Sequence, residues 1–192
     1  MSTQATLYLK LFKDVCKKIN SSLDIREVLE SVSRNAVKML DIKGCTIYLL
    51  DEVNKTLKIS SSAGLSETYL NKGPIDSEKS IVETLSGKWV LVPDATNDHR
   101  VQYPENAKKE GIASILSVPM SVKDKIIGVL RIYTSEKREF NDVETEFISG
   151  LAEIGSIGIE NARMYSMLKS DHDKLMGDVH QWFDYGATDH RY

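Results

Sequence analysis

The chain has 192 residues, with 25 lysines and arginines, 28 aspartates and glutamates and a formal charge of −3. This length suits one domain of ordinary size plus an appendage, and the mixed charge pattern does not favour nucleic acid or a membrane surface as a partner. No apolar stretch approaches the roughly 20 residues that span a bilayer, and no apolar signal segment opens the chain, so we expect a cytoplasmic protein.

The first forty residues predict two amphipathic helices. Apolar residues three or four apart indicate a helix from Leu7 to Ile19. Asp24, with Glu27 three residues later, resembles a capping box that opens a second helix. The apolar face of that second helix is formed by Ile25, Val28, Leu29, Val32, Ala36, Val37 and Leu40.

Short strands and helical pieces are predicted between residues 45 and 92. Runs rich in β-branched and aromatic residues indicate strands, and glycines punctuate them. We predict strands at Cys45 to Leu50, Thr56 to Ala63 and Trp89 to Val92, a helical turn around Leu65 to Leu70, and a short helix at Ser80 to Leu85.

The stretch from Ile112 to Tyr133 predicts a central hairpin. Two apolar runs flank the polar turn Lys123-Asp124-Lys125. Because both runs are almost continuously apolar, we expect both faces of the sheet to be covered. Pro119 and Gly128 should each mark a bulge, an edge or a close backbone approach.

A long polar connection precedes this hairpin, from Pro93 to Gly111. Loops of this length are uncommon inside compact domains, and many of those that exist are lids or binding loops. This segment is therefore our candidate lid.

A final long helix is predicted from Asp142, because Asn141 is a suitable N-cap and Glu144 follows it three residues later. Up to about Ala162 the helix contains glycines that would let it lie close to the sheet. Further on, apolar residues alternate spacings of three and four, which is typical of a two-stranded coiled coil. This seam comprises Tyr165, Leu168, His172, Leu175, Val179 and Trp182, and the tail Asp184 to Tyr192 should be loose.

The order of these segments resembles a GAF domain. The resemblance rests on S-I-L-S-V-P-M from Ser114, I-I-G-V-L-R-I-Y from Ile126 and F-N-D-V-E from Phe140, with S-S-L-D-I-R-E-V-L at Ser21 and P-D-A-T-N-D-H-R at Pro93 in matching places. It implies an α+β fold: a six-stranded antiparallel sheet, terminal helices on one face, and short helices plus the long loop over a small-molecule pocket on the other. We divide the chain into a GAF domain at 5–165, a coiled-coil-like helical extension at 166–183 and a tail at 184–192.

The resemblance also implies a sensor, in which ligand occupancy is relayed through the flanking helices to an output domain, usually within a dimer. The fold does not specify the ligand. For this chain we expect pocket residues Tyr48, Ser114, Leu116 and Arg131 on strands and Asp94, Asn97 and His99 on the loop. We expect a homodimer interface at Tyr8, Phe12, Val15, Tyr165, Leu168, His172, Leu175 and Val179.

The cofactor is left unknown, and no metal site is predicted. The cyclic-nucleotide signature of the family cannot be aligned here, neither cysteine lies where a bilin would attach, and His99 is the only remotely placed haem ligand. A structural dimerisation module is the main alternative function. A redox enzyme is the second alternative, and it resembles a free methionine sulfoxide reductase of this fold, but the loop lacks the cysteines that such chemistry needs.

Overall fold

A computed structural model describes residues 3–21, 24–51, 53–54, 56–76 and 82–187. The helices are α1 (Thr3–Ser21), α2 (Ile25–Leu40), α3 (Glu67–Leu70), α4 (Val82–Leu85), α5 (Pro104–Glu110) and α6 (Asp142–Ala187). The strands are β1 (Gly44–Asp51), β2 (Thr56–Ala63), β3 (Ile75–Asp76), β4 (Val90–Val92), β5 (Ser114–Val122) and β6 (Lys125–Thr134).

The strands form one antiparallel sheet in the order β3-β2-β1-β6-β5-β4. The predicted central hairpin is confirmed as β5 and β6, which lie inside the sheet. Its two turn residues, Lys123 and Asp124, have φ of 47° and 64°, the left-handed values that a tight two-residue hairpin turn requires. The predicted fold class, α+β with a six-stranded antiparallel sheet, is confirmed.

The main hydrophobic core lies between one face of this sheet and helices α1, α2 and α6. It takes alternate residues from the central strands, because successive side chains of a strand point to opposite faces. The strand residues are Cys45, Ile47, Leu116, Val118, Met120, Leu130 and Ile132, and all are buried. We call this the helix face, and the opposite one the outer face.

Two glycines mark close approaches that a side chain would obstruct. A Cβ added at Gly128 would lie 2.2 Å from the carbonyl oxygen of Tyr48, which confirms the predicted close backbone approach. A Cβ at Gly155 would lie 2.8 Å from Cε of Met120, so α6 packs directly on β5 at this point.

The start of α6 is defined by a reciprocal capping box, as predicted. Asn141 Oδ1 accepts from the backbone N–H of Glu144 at 3.0 Å, and Glu144 Oε2 accepts from the N–H of Asn141 at 3.0 Å. Arg138 joins this corner to the end of α2, because its Nη2 donates to Glu144 at 2.5 Å and its Nη1 donates to the Leu40 carbonyl at 2.6 Å.

Three predictions about local structure are wrong or incomplete. The long connection contains α5 (Pro104–Glu110), which is capped by Gly111 with a left-handed φ of 72°, so the irregular part is 93–103. The two-residue strand β3 was not found from sequence pattern. In the tail, residues 184–187 continue α6, and 188–192 lie outside the described residues.

The predicted dimer role of α1 is not supported by its packing. Tyr8 stacks on Phe147 of α6 with ring centroids 4.4 Å apart, and Val15 is fully buried. Phe12 lies against Gly150 of α6, where an added Cβ would come within 2.6 Å of its ring. These three side chains therefore pack on their own subunit, because α1 is needed to cover the helix face.

The described side chains in the second half of α6 are not part of the core of the domain. All residues from 163 to 177 are exposed, among them Tyr165 at 47%, Leu168 at 70% and Leu175 at 65%. His172 is also exposed, whereas the side chains of Val179 and Trp182 lie outside the described part of the chain. The predicted seam is thus open to a partner.

Candidate functional site

The outer face of the sheet is covered by the short helices and their connections, and its central strands contribute buried residues to two clusters. Tyr133 and Ile115 pack with Tyr69 of α3 and with Ala107 of α5. The second cluster joins Tyr48, Leu57, Ile75 and Val129. Both faces of the sheet are therefore buried, as the continuous apolar runs predicted.

A row of polar residues crosses this covered face. In the strand register, Ser62 pairs with Thr46, Thr46 with Arg131, and Arg131 with Ser117, so the four side chains point to the same side. Nε of Arg131 donates to Ser117 Oγ at 3.1 Å, and Arg131 is only 7% exposed. Ser62 Oγ is buried and has no hydrogen-bond partner among the described residues. Buried polar groups are normally paired, so this row needs an explanation beyond packing.

Three tyrosines lie beside the polar row. The Tyr133 hydroxyl is 2.9 Å from Thr46 Oγ1 and 3.3 Å from the Tyr48 hydroxyl. Its ring meets Tyr69 edge to face, with centroids 5.7 Å apart. Burial, followed by the neighbouring tyrosines, raises the pKa of Tyr133 well above its ordinary value. The Tyr133 hydroxyl therefore stays neutral and can act as a hydrogen-bond donor.

A small cavity lies between this row and its cover. Arg131 and Ile115 form its wall on the sheet side, and side chains from residues 69–75 and 92–103 form the other walls. The volume open to the centre of a water molecule is about 10 Å³, room for about one water. Its remaining walls are formed by Tyr69, Lys72, Ile75, Val92, Arg100, Val101, Gln102 and Tyr103.

Lys72 brings a second cation to this cavity. Its Nζ donates to the Tyr69 carbonyl at 3.1 Å and lies 3.8 Å from the centroid of the Tyr69 ring. Burial, and then the charge of Arg131, lower the pKa of Lys72 to about 8. Arg100 also lines the cavity, but its charge is matched by Asp98, whose pKa it lowers to about 2.

The cavity is closed by three hydrogen bonds that we call the latch. Gln102 Oε1 accepts from the Asp76 N–H at 3.0 Å, and Gln102 Nε2 donates to the Pro74 carbonyl at 3.4 Å. The Tyr103 hydroxyl donates to the same carbonyl at 2.9 Å. The latch joins the predicted lid to Pro74 and to Asp76 of β3. The side chains of Gln102 and Tyr103 are partly exposed, so the latch can open without disturbing the core.

The structure brings together only part of the predicted pocket. Tyr48 and Arg131 lie on the outer face, beside the cavity or in its wall, and their ligand role stays a prediction. The predicted face of Leu116 is wrong, because Leu116 packs against the helices. Ser114 lies two residues before Leu116 and therefore on the same side of β5, where it hydrogen-bonds to Thr134. The predicted face of Ser114 is wrong too.

The three predicted loop residues lie outside the cavity wall. Asp94 stabilises a turn by accepting hydrogen bonds from the N–H and the hydroxyl of Thr96, and it also forms a salt bridge with Lys137. Asn97 is exposed, and the side chain of His99 is 94% exposed. Their ligand role stays a prediction, and the part of the connection that lines the cavity is residues 100–103.

Sequence reasoning missed Thr46, Ser117, Tyr133 and Lys72. A signal was available for the strand residues, since Thr46 stands two places from Tyr48, and Tyr133 two places from Arg131. The choice of Leu116 in place of Ser117 reversed the face of β5 by one residue. Lys72 gave no local signal, because it follows a four-residue helix and reaches the cavity only in the folded chain.

This arrangement defines a class: an α+β domain whose antiparallel sheet is packed by long helices on one face and closed over a small polar cavity on the other. A family model described as GAF domain matches residues 22–160. The chain belongs to the GAF domain family, a sensor family whose members commonly bind small molecules.

Individual relatives agree with this assignment. The chain is 28% identical over 168 residues to a methyl sulfide methyltransferase-associated sensor of Methanosarcina acetivorans, a match covering 84% of this chain and 17% of that protein. The chain thus spans about a sixth of the length of this relative.

Two solved structures share the fold at lower identity. The GAF domain of a phosphoenolpyruvate-protein phosphotransferase from Coxiella burnetii has a TM-score of 0.75 at 19% identity, covering 86% of this chain and 99% of that one. The free methionine-R-sulfoxide reductase of Neisseria meningitidis, in complex with its substrate, has a TM-score of 0.70 at 18% identity, covering 86% and 95%. Among the described residues, no helix is long and apolar enough to cross a membrane.

Proposed function

We propose that this chain is a sensory, non-catalytic GAF module that binds a small molecule in the outer-face cavity and passes the change through α6 to an output domain. The observation that carries the proposal is the buried polar row under a cover held by the latch. A purely structural sheet would gain more from apolar side chains at these four positions, because each buried polar group must be satisfied to avoid a penalty.

The path from the cavity to α6 runs through two strands. Ser117 and Arg131 lie on the outer face of β5 and β6, while Met120 of β5 packs on α6 at Gly155. A shift of these strands would move α6, because close-packed interiors transmit small displacements. At 1.5 Å per residue the 46 residues of α6 extend about 70 Å from the capping box.

A homodimer through the exposed half of α6 completes the proposal. An isolated helix is marginal in water unless packing covers its apolar side. The exposed seam at Tyr165, Leu168 and Leu175 meets that condition only with a partner helix. We retain the division at 5–165, 166–183 and 184–192 for this reason, and location in the cytoplasm stays a prediction.

A structural dimerisation module is the second candidate, and the small cavity volume favours it. Ligand entry requires the latch to open, whereas a module with a filled interior would keep it closed. A redox enzyme is less well supported. Cys45 lies on the helix face, fully buried, and burial raises the pKa of its thiol far above the usual range, so the reactive thiolate is absent at neutral pH.

Native mass spectrometry of freshly purified protein, followed by thermal unfolding with a metabolite panel, tests the first candidate. We expect a retained compound or a stabilising one. A ligand at a hundredfold excess over its dissociation constant should add about 2.7 kcal/mol, or roughly 5–10 °C for a chain of this size. A well-folded protein that retains nothing and responds to nothing would establish the structural module.

A further inference from the structure

An open groove of about 610 Å³ runs between α1 and the start of α6, on the surface of the helix layer. The stacked rings of Tyr8 and Phe147 line it. Leu9 and Val143 also line it, and they are 46% and 43% exposed. Apolar side chains left in water at one groove forgo the free energy of burial, so the groove suits a partner surface.

An exposed apolar row connects this groove with the seam of α6. Val143, Ile157, Met164 and Leu168 follow one another at intervals of seven residues, two sevens or four, so they lie on one side of the helix. All four are between 43% and 70% exposed, and Leu168 belongs to the seam. One partner can therefore cover the groove and the seam together.

The α6 side of the groove is acidic. Asp142, Glu146 and Glu153 line it, and no basic residue is among the described residues of its wall. Within the described part of the chain, none of these three carboxylates forms a salt bridge. A partner surface that meets this side is favoured if it carries positive charge.

The neighbouring side of α1 is basic. Lys13 and Lys17 follow Leu9 at intervals of four residues, so the three form one row along the helix. Both lysines are exposed, and neither forms a salt bridge with another described residue. Asp14, the one acidic residue of α1, lies roughly 140° around the helix from Leu9. The surface of α1 and α6 therefore carries both halves of a complementary charge pattern.

The two helices are arranged so that a second copy can use this pattern. They run parallel, because Tyr8 meets Phe147 and, further along both helices, Phe12 meets Gly150. A two-fold axis parallel to them places α1 of one copy beside α6 of the other, and the contact then occurs twice. The same axis brings the two seams together as a parallel coiled coil.

We propose that the groove is occupied by a second copy of this chain, with the Leu9, Lys13 and Lys17 row of α1 against the acidic side of the partner's α6. Rotation about such an axis keeps every residue at its own height, so the two lysines come level with Glu153 of the partner subunit. This inference rests on the dimer of the proposed function and adds the surface through which the two domains meet. The opposite side of α1 keeps its packing on its own subunit.

Charge reversal in the full chain tests the proposal by sedimentation equilibrium at low ionic strength, because salt screens exposed charges. The first variant carries Lys13→Glu and Lys17→Glu, and the second carries Glu146→Lys and Glu153→Lys. In either variant alone, like charges meet at both copies of the contact, so dimer affinity should fall at least about tenfold. All four positions are exposed, so both variants should fold like the parent, which circular dichroism checks.

An equimolar mixture of the two variants should form a heterodimer, because each α1 then meets an α6 of opposite charge. Its affinity should be within about threefold of that of the parent. The matched control carries Lys108→Glu and Lys109→Glu, two exposed lysines of α5 on the other side of the sheet. It changes the net charge as much as the first variant does, and it should dimerise like the parent.

The inference is overturned if either variant alone dimerises like the parent, or if the mixture is no tighter than the separate variants. Unchanged dimerisation is the result expected if a basic helix of another protein occupies the groove. The seam and the sensory function then stand, since both are tested separately. A parent that is monomeric at high concentration overturns the groove contact and the proposed dimer together, and leaves ligand binding untouched.

Discussion

Replacing both Leu168 and Leu175 with glutamate should dissociate the proposed dimer. These leucines are 70% and 65% exposed and belong to the seam of α6. Full burial of a leucine contributes about 1.5–3 kcal/mol, so covering these exposed fractions contributes about 1–2 kcal/mol each. A two-fold dimer contains four such side chains, so the double variant should lose about 4–8 kcal/mol, or three to six orders of magnitude in dimer affinity.

Sedimentation equilibrium of the full chain measures this loss directly. Ser170→Glu is the matched control, because Ser170 lies on the same helix, is exposed, and falls on the side opposite the seam. The control should stay dimeric, and both variants should keep a folded domain, because residues 163–177 of α6 are exposed and are not part of its core. A double variant whose dimer affinity is within about threefold of the parent would refute the seam, as would a parent that is monomeric at high concentration.

Three further predictions concern charge and buried polarity. Lys72 has a pKa of about 8 in the folded protein, because burial and then the charge of Arg131 lower it. The ordinary pKa of lysine is near 10.5, so between about pH 8 and 10.5 the unfolded chain keeps a proton on Lys72 that the folded protein has lost. The free energy of unfolding of the parent should therefore rise with pH in this range, relative to that of Lys72→Met. Arg138→Met should lower the free energy of unfolding, measured in urea, by about 3–5 kcal/mol, because it leaves Glu144, only 5% exposed, without its charged partner. A loss under about 1 kcal/mol would contradict this. The control Lys108→Met should cause no measurable loss. Thr84→Val should stabilise the protein by about 1 kcal/mol in the same assay, because the buried Thr84 hydroxyl has no hydrogen-bond partner among the described residues, and a destabilised variant would indicate a partner for it.

Elements with strong local signals were predicted closely. The strand at Thr56–Ala63 and the helix at Ile25–Leu40 agree with the structure, and so does the capping box at Asn141. In each case the deciding interactions lie within a few residues of one another, so the pattern itself carries the information. The helix α5 was missed because its sequence, from Pro104 to Glu110, is short and polar, without an apolar face of its own.

The amino-acid sequence by itself determined which of the longer segments become helices and strands, that the sheet is buried on both faces, and that the last helix carries an apolar seam. Only the tertiary structure decided that Ser117 rather than Leu116 lies on the outer face beside Arg131, that Lys72 and Arg131 line one cavity, and that Tyr8 packs on Phe147 of its own subunit. The reason is physical: alternation along a strand separates two sets of side chains, but the layer that each set meets is chosen by contacts between residues far apart in the chain.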